Sequence, residues 1–304
     1  MNVVETRELV KRYGGRTALD GLDIEIPKGS VCALIGPNGS GKTTAFGLLA
    51  GLLAPGGGSI NLFGEGPFDP RRHSGRLSLM PQDSLPSPHA SLRQNLRYYA
   101  ELQGMALDAA DREALHWLGR VHLNDRVDST LGQLSHGMRR RFSVAQAFLG
   151  NPELILLDEP TAGLDPELAA EMRGLFAERR GQATLVISSH ILSELEGLCD
   201  YAVFIEAGKR VKQGSMKSVL RADQLVRFTL SRKPDLEALQ APATATRFEW
   251  QAPQLIVTLG AGELLEAVNA RILRELLAQD IGILGLEAGQ SLEASYLATR
   301  AGAR

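Results

Sequence analysis

Only two cysteines occur among the 304 residues, Cys32 and Cys199, and each sits in an apolar stretch with no cysteine or histidine at ligand spacing. That spacing disfavours a disulfide framework or a metal cluster and leaves two reduced core thiols as the expectation. The six histidines are scattered and form no metal pattern. No segment approaches the roughly 18 consecutive apolar residues of a membrane span, and the opening MNVVETRELVKRYGG lacks the apolar core of a secretory signal, so the chain is expected to stay in the cytoplasm. A basic excess is missing as well: 33 Lys and Arg face 35 Asp and Glu, a formal charge of -2, and no nucleic-acid partner is expected. The longest basic run, Arg139, Arg140 and Arg141, cannot form one basic face because successive helical residues diverge by about 100°. Solvated or salt-bridged side chains are expected there, with a contact to phosphate or to a partner as the other reading. Tandem repeats and low-complexity tracts are absent from the sequence.

What is present is an ordinary globular composition, 44% hydrophobic and 22% charged, in a chain long enough for a large core and a second small domain. Short apolar strands alternate with helices to about residue 220, as in VCALIG before KTTAFGLLAGLL and LILLDEP before ELAAEMRGLFAERR. That alternation predicts an α/β core with a parallel sheet. The first two strands, around VVETRELVKRY and ALDGLDIEIP, have no helix between them and predict an antiparallel lobe. Residues 90–150 read as mostly helical by period. Past residue 222 the pattern restarts in the order β-α-β-β-α-β, which predicts a separate α+β, ferredoxin-like domain of about 80 residues. The expected division is therefore 1–222 and 223–304. In that tail, GELLEAVNARILRELLAQ sets Leu264, Leu265, Val268, Ile272, Leu276 and Leu273 on one broad apolar stripe. Such a stripe either covers its own small sheet or also meets its counterpart in a second copy.

Phosphate chemistry enters at GPNGSGKTT, the residues Gly36, Pro37, Asn38, Gly39, Ser40, Gly41, Lys42, Thr43 and Thr44. The segment satisfies G-x-x-x-x-G-K-[ST] between a predicted strand and a predicted helix. Its glycines let the backbone wrap phosphates, so that consecutive amides and a helix N-terminus face negative charge. Lys42 then reaches the β- and γ-phosphates, and the Thr43 hydroxyl binds Mg2+. A second element, LILLDEP, delivers Asp158 and Glu159 to the carboxyl edge of a strand, where α/β sheets bind ligands. Asp158 is expected in the Mg2+ shell and Glu159 beside the attacking water; alone, the pair reads equally as an acidic turn capping the next helix.

With these residues in order, residues 1–220 resemble the ATP-binding subunits of ABC transporters. The resemblance implies an aromatic that stacks on adenine, here Tyr13. It implies a glutamine that senses the γ-phosphate and its metal, here Gln82, and a histidine on the γ-phosphate, here His190, which with Glu159 serves hydrolysis. The loop GLDP places Asp165 at a subunit contact. The family signature LSGGQ is matched by LSHGM at Leu134, Ser135 and Gly137 and departs from it at His136 and Met138. Ser135 alone would read as a helix N-cap. Within the family, its hydroxyl and the Gly137 amide donate to the phosphate of a nucleotide held by a second subunit, which implies a two-fold homodimer. A Gly-Met ending before a basic cluster, and a tail ending SLEASYLATRAG, are most similar to the type-2 exporter branch. The resemblance therefore implies an ATPase of the cytoplasm, using ATP and Mg2+, that powers a separately encoded integral membrane permease and lies on the inner face of the membrane through it. A soluble ABC-type ATPase acting on nucleic acid or ribosomes is the alternative. It is disfavoured by the lack of a long coiled-coil insertion or a second ATPase core, and a GTPase by the lack of N-K-x-D.

Overall fold

Val3, Val4, Thr6 and Leu9 are buried along Asn2–Tyr13 (β1), which organises the first layer of a computed structural model that describes residues 1–82, 87–189, 191–220, 224–239, 246–260, 263–289 and 291–302. Arg16–Leu22 (β2) and Glu25–Pro27 (β3) pair antiparallel with β1 along one edge. Val31–Ile35 (β4) then enters a second sheet, and Gly57–Leu62 (β5) returns to the other edge of β1. Val4 accordingly faces Ile26 on one side and Leu62 on the other. The antiparallel lobe expected from the first two strands is thus present, completed by β5.

The second sheet adds Leu77–Met80 (β6), Leu154–Asp158 (β7), Thr184–Ser188 (β8), Tyr201–Glu206 (β9) and Lys209–Ser215 (β10) in the order β10-β9-β4-β8-β7-β6. From β9 to β6 all neighbours are parallel. Every residue of β4, β7 and β8 is buried, as strands covered on both faces require. The order places β8 between β4 and β7. The carboxyl ends of these three strands consequently meet.

Helices Lys42–Leu49 (α1), Pro70–His73 (α2), Leu92–Leu102 (α3), Leu107–Arg120 (α4), His136–Phe148 (α5), Pro166–Ala177 (α6) and Leu192–Glu196 (α7) surround the strands of this unit. The helical stretch expected over 90–150 is α3, α4 and α5. Ser91 starts α3 with a reciprocal capping box to Gln94, the pairing that satisfies two orphan amides. Arg76 joins the antiparallel lobe to the parallel sheet: its Nε donates to Glu153 at 2.7 Å, Nη1 donates to Glu65 at 3.0 Å, and the guanidinium lies 4.2 Å from the Phe63 ring centre. Its hydrogen bond holds the Glu153 carboxyl below the usual carboxylate range.

The arginine triplet corrects a sequence expectation. Arg140 and Arg141 are buried, and all three guanidinium groups donate to main-chain carbonyls. Arg139 reaches Leu131 O at 3.1 Å, Arg140 reaches Gln82 O at 3.2 Å, and Arg141 reaches Val121 O and His122 O at 2.8 and 2.7 Å. Because they point in different directions from one helix, they staple α5 to three separate segments. Arg141 closes the carboxyl end of α4, where a cation also opposes the helix dipole.

The chain divides into two compact units, Met1–Gln213 and Gly214–Arg304. The second unit contains Met216–Val219 (α8), Leu225–Leu230 (β11), Leu236–Leu239 (α9), Arg247–Gln251 (β12), Gln254–Thr258 (β13), Leu265–Ala278 (α10), Ile283–Ala288 (β14) and Leu292–Gly302 (α11). Its sheet runs β12-β13-β11-β14 with every pair antiparallel, the strand order of a split β-α-β unit. Val268, Ile272 and Leu276 of α10 pack on Val226, Phe228, Leu255 and Val257 of that sheet, so the stripe covers its own strands. Leu264 departs from the stripe: it precedes the helix with extended backbone and is 74% exposed. Cys32 and Cys199 are buried free thiols, and burial pushes both pKa values up.

Replacing Arg141 with Met is expected to destabilise the first unit by about 1–3 kcal/mol, since it strands the buried Val121 carbonyl and the part-buried His122 carbonyl, both of which accept from a charged donor. The urea midpoint of Trp117 fluorescence in a Trp250→Phe background reads this unit, and an unchanged midpoint would contradict the stapling role.

Candidate functional site

The buried strand β4 ends at Ile35, and the loop beyond it turns back over the sheet edge. A Cβ at Gly36 would lie 2.2 Å from Ile205 O and 2.5 Å from Ser40 Oγ, so no side chain fits there. Gly41 caps α1 with φ 109°, a left-handed conformation that disfavours any other residue, and no side chain caps the helix. The first amides of α1 therefore remain available to an anion. Ser40 is 2% exposed and its Oγ has no hydrogen-bond partner among the described residues, an arrangement that fits a phosphate oxygen. Lys42 is likewise buried, its Nζ donating to Gly36 O at 2.8 Å and Pro37 O at 3.3 Å. Burial lowers the Lys42 pKa, while Glu159 and Asp158 act to raise it.

Strand β7 carries Asp158 to the same edge at 2% exposure, where its Oδ2 accepts the Thr43 hydroxyl at 2.7 Å. Glu159 follows with φ 53°, an uncommon conformation for a non-glycine residue and one that concentrates at functional sites. Its amide donates to Ser188 Oγ at 2.9 Å. Thr43, Asp158 and Gln82 offer hard oxygens, the donor set that suits Mg2+. Among the described residues no group of three or more His, Cys, Asp or Glu side chains forms a metal cage. A metal here would therefore rely on nucleotide phosphates for the rest of its shell.

These groups surround one cavity of about 720 Å³ lined by Tyr13, Arg16, Ala18, Asn38, Gly39, Gly41, Lys42, Thr43, Thr44, Gln82, Asp158 and Glu159. Tyr13 stands at its rim, 47% exposed, with the Lys11 ammonium 5.4 Å from the ring centre. The cavity thus collects the residues proposed for adenine, phosphates, metal and water. Gly36, Pro37 and Ser40 form the loop beneath it.

Ser135, Gly137 and Asp165 are not among the described residues that line it. Ser135 is the N-cap of α5, its hydroxyl accepting from Met138 N at 3.3 Å, and is exposed. Asp165 caps α6 by accepting from Leu168 N at 3.0 Å and is also exposed. The two segments adjoin: a Cβ at Gly163 would meet His136 Nδ1 at 2.9 Å, and one at Gly137 would meet Leu164 at 3.4 Å. His190 lies outside the described residues. Just before it, Ser189 Oγ accepts from Ile191 N at 3.0 Å.

Arg16 and Ala18 were not read from the sequence. The signal lay in Gly14-Gly15, a two-residue turn between predicted strands, which pairs Arg16 with Tyr13 across the β1–β2 hairpin.

The family model described as ABC transporter matches residues 19–162. Nod factor export ATP-binding protein I of Burkholderia orbicola (strain AU 1054) is 35% identical over 225 residues, covering 72% of this chain and 73% of its own length. The protein of the same name from Burkholderia thailandensis is 34% identical over 281 residues, 88% of this chain and 89% of its own. A solved structure of an ATP binding subunit of an ABC transporter superposes with a TM-score of 0.65 at 26% identity, over 72% of this chain and 92% of that one. No helix among the described residues is long and apolar enough to cross a membrane.

A Cβ at Gly39 would lie 3.0 Å from Arg16 Nη2, so the guanidinium stands at the phosphate loop, and Arg16→Ala is expected to weaken ATP binding by about tenfold at low salt, the equivalent of one exposed charge-assisted contact, with the loss shrinking as salt rises. Adenosine binding should not change. Equal losses for ATP and adenosine in a fluorescence titration would remove Arg16 from the phosphate end.

Proposed function

The chain belongs to the ABC transporter family, and from that membership we propose that it is the ATP-hydrolysing subunit of an exporter, sandwiching nucleotide between two copies of itself. The observation that carries this reading is the division of the expected residues. One cavity gathers Tyr13, phosphate-loop residues from Asn38 to Thr44, Gln82, Asp158 and Glu159, while the exposed N-caps Ser135 and Asp165 and the half-buried Gly137 are not among the described residues that line it. A composite site completed by a second copy uses both sets.

In this mechanism Tyr13 stacks on the adenine and the amides of α1 hold the phosphates. Lys42 exchanges its carbonyl partners Gly36 and Pro37 for phosphate oxygens. Thr43, Asp158 and Gln82 would hold Mg2+, which when bound would supply charge neutralisation for phosphoryl transfer. Glu159 accepts a hydrogen bond from the water that attacks the γ-phosphorus while the bond from that phosphorus to the β–γ bridging oxygen breaks, leaving ADP and phosphate, and His190, outside the described residues, is assigned to the γ-phosphate by the resemblance alone. The second copy donates the Ser135 hydroxyl and the Gly137 amide, with Asp165 beside the shared boundary. ATP favours the closed pair because it contacts both copies, and hydrolysis withdraws that preference. The work is delivered to a separately encoded membrane permease, which holds this chain at the inner face of the membrane. Export as its direction is supported by the relatives named for Nod factor export.

Glu159→Gln is expected to bind MgATP and accumulate as a dimer while turning over on the order of 10² to 10⁴ more slowly. Near-normal turnover in that variant would take Glu159 out of the chemistry. Ser135→Arg should leave the ATP affinity of the monomer nearly unchanged and abolish ATP-dependent dimerisation by sedimentation. Were it to weaken monomer binding as much as Lys42→Ala does, the assignment of Ser135 to the opposite copy would be wrong.

A further inference from the structure

Ser188 is the last residue of β8 and is fully buried, at 0% exposure. Sheet order puts it between the loop that leaves β4 and the end of β7. Its hydroxyl is used twice. The proton goes to Asp158 Oδ1, and the oxygen accepts the Glu159 amide at 2.9 Å. The Ser188 carbonyl accepts the same amide at 3.2 Å. A hydroxyl has one proton to give and an ionised carboxylate can only accept, so the direction of this chain is fixed. It runs from the Glu159 N–H through Ser188 Oγ to Asp158 Oδ1. The other Asp158 oxygen, Oδ2, accepts from Thr43.

Two consequences follow from that geometry. First, the Asp158 carboxylate is held from behind, which fixes its plane and leaves Oδ2 turned toward Thr43 and the cavity. Second, the left-handed backbone of Glu159 at φ 53° is anchored at its amide, so that the glutamate leaves the strand in a defined direction. Ser188 itself does not line the cavity.

We propose that Ser188 is a positioning residue for ATP hydrolysis, one hydroxyl setting both the metal-facing carboxylate Asp158 and the water-facing glutamate Glu159. The proposal rests on the roles given to Asp158 and Glu159 above and adds to them the residue that holds the two in register. Hydrogen-bond partners behind a metal ligand typically govern metal affinity or activity by about 10- to 100-fold. Loss of the hydroxyl should therefore act on metal dependence and turnover together, and not on the binding of ATP without metal.

The test uses the full chain with Ser188→Ala, Ser188→Thr and Thr184→Val. Thr184 lies on the same strand, is equally buried, and accepts Gly29 N at 2.9 Å at the far end, so Thr184→Val reports the cost of a lost buried hydroxyl alone. Fluorescent ATP is titrated in EDTA and then with increasing Mg2+, and kcat and KM are measured alongside unfolding midpoints. For Ser188→Ala the affinity in EDTA should be unchanged, the Mg2+ concentration for half-saturation should rise by about 10- to 100-fold, and kcat should fall by a similar factor with KM moving less. Ser188→Thr, which keeps the hydroxyl, should recover both, and Thr184→Val should lower the midpoint without moving either. If Ser188→Ala does not fold, Ser188→Cys keeps the volume with a weaker donor and carries the same comparison. A wild-type Mg2+ requirement in the hydroxyl-free variant, or an equal shift in Thr184→Val, would overturn the proposal while leaving Asp158 in place. ATP binding by the unaltered chain that ignored Mg2+ would overturn the reading of Asp158 beneath it.

Discussion

The hydrogen bond from Thr43 to Asp158 spans 115 residues of sequence and is the tie on which the site depends. It joins the first turn of α1 to the end of β7, and it does so across the end of β8. A carboxylate at 2% exposure is costly unless its oxygens are used, and both are: Thr43 takes one and Ser188 the other. The parallel sheet makes this possible because strands that run together bring their carboxyl ends to one edge. The glycine contacts serve the same end, since a side chain at Gly36 or Gly41 would lift the loop off β9 or β2 and carry Thr43 away from Asp158.

Around that tie the chain spends its buried arginines on backbone rather than on acid. Arg140 links α5 to the main chain at Gln82, and Arg141 closes the end of α4. Through Arg140, the helix that begins at Ser135 is joined to a residue lining the cavity of its own chain. In the two-copy arrangement proposed above, that helix would face the other copy's nucleotide. The same helix start packs through His136 and Gly137 against Gly163 and Leu164, so the two segments expected at the boundary support each other.

Much of this was legible in the sequence because the signals were local. The phosphate loop is a contiguous string with a glycine wherever the backbone must curl, and Asp158 and Glu159 follow an unbroken apolar strand. The α10 stripe was readable at Val268, Ile272 and Leu276, whose spacing is helical, but not at Leu264, which has the spacing without the helix. The arginine triplet was misread because charge and periodicity say nothing of which distant carbonyls need donors; that depends on where α4 ends and how α5 crosses it. Ser188 carried no signal at all. A serine closing an apolar strand becomes informative only when β8 is known to lie between β4 and β7.

In the proposed arrangement each nucleotide site is built from two copies of the chain. Lys42→Ala disables the phosphate loop and Ser135→Arg disables the contribution to the opposite copy, so each variant by itself has two damaged sites per pair. Mixed in the Glu159→Gln background, the two should form pairs in which one site is doubly damaged and the other intact. Nucleotide counting on the isolated pair should then find one tightly held ATP for every two chains, with association that depends on ATP. A mixture that showed no more ATP-dependent association than either variant alone would contradict the composite site.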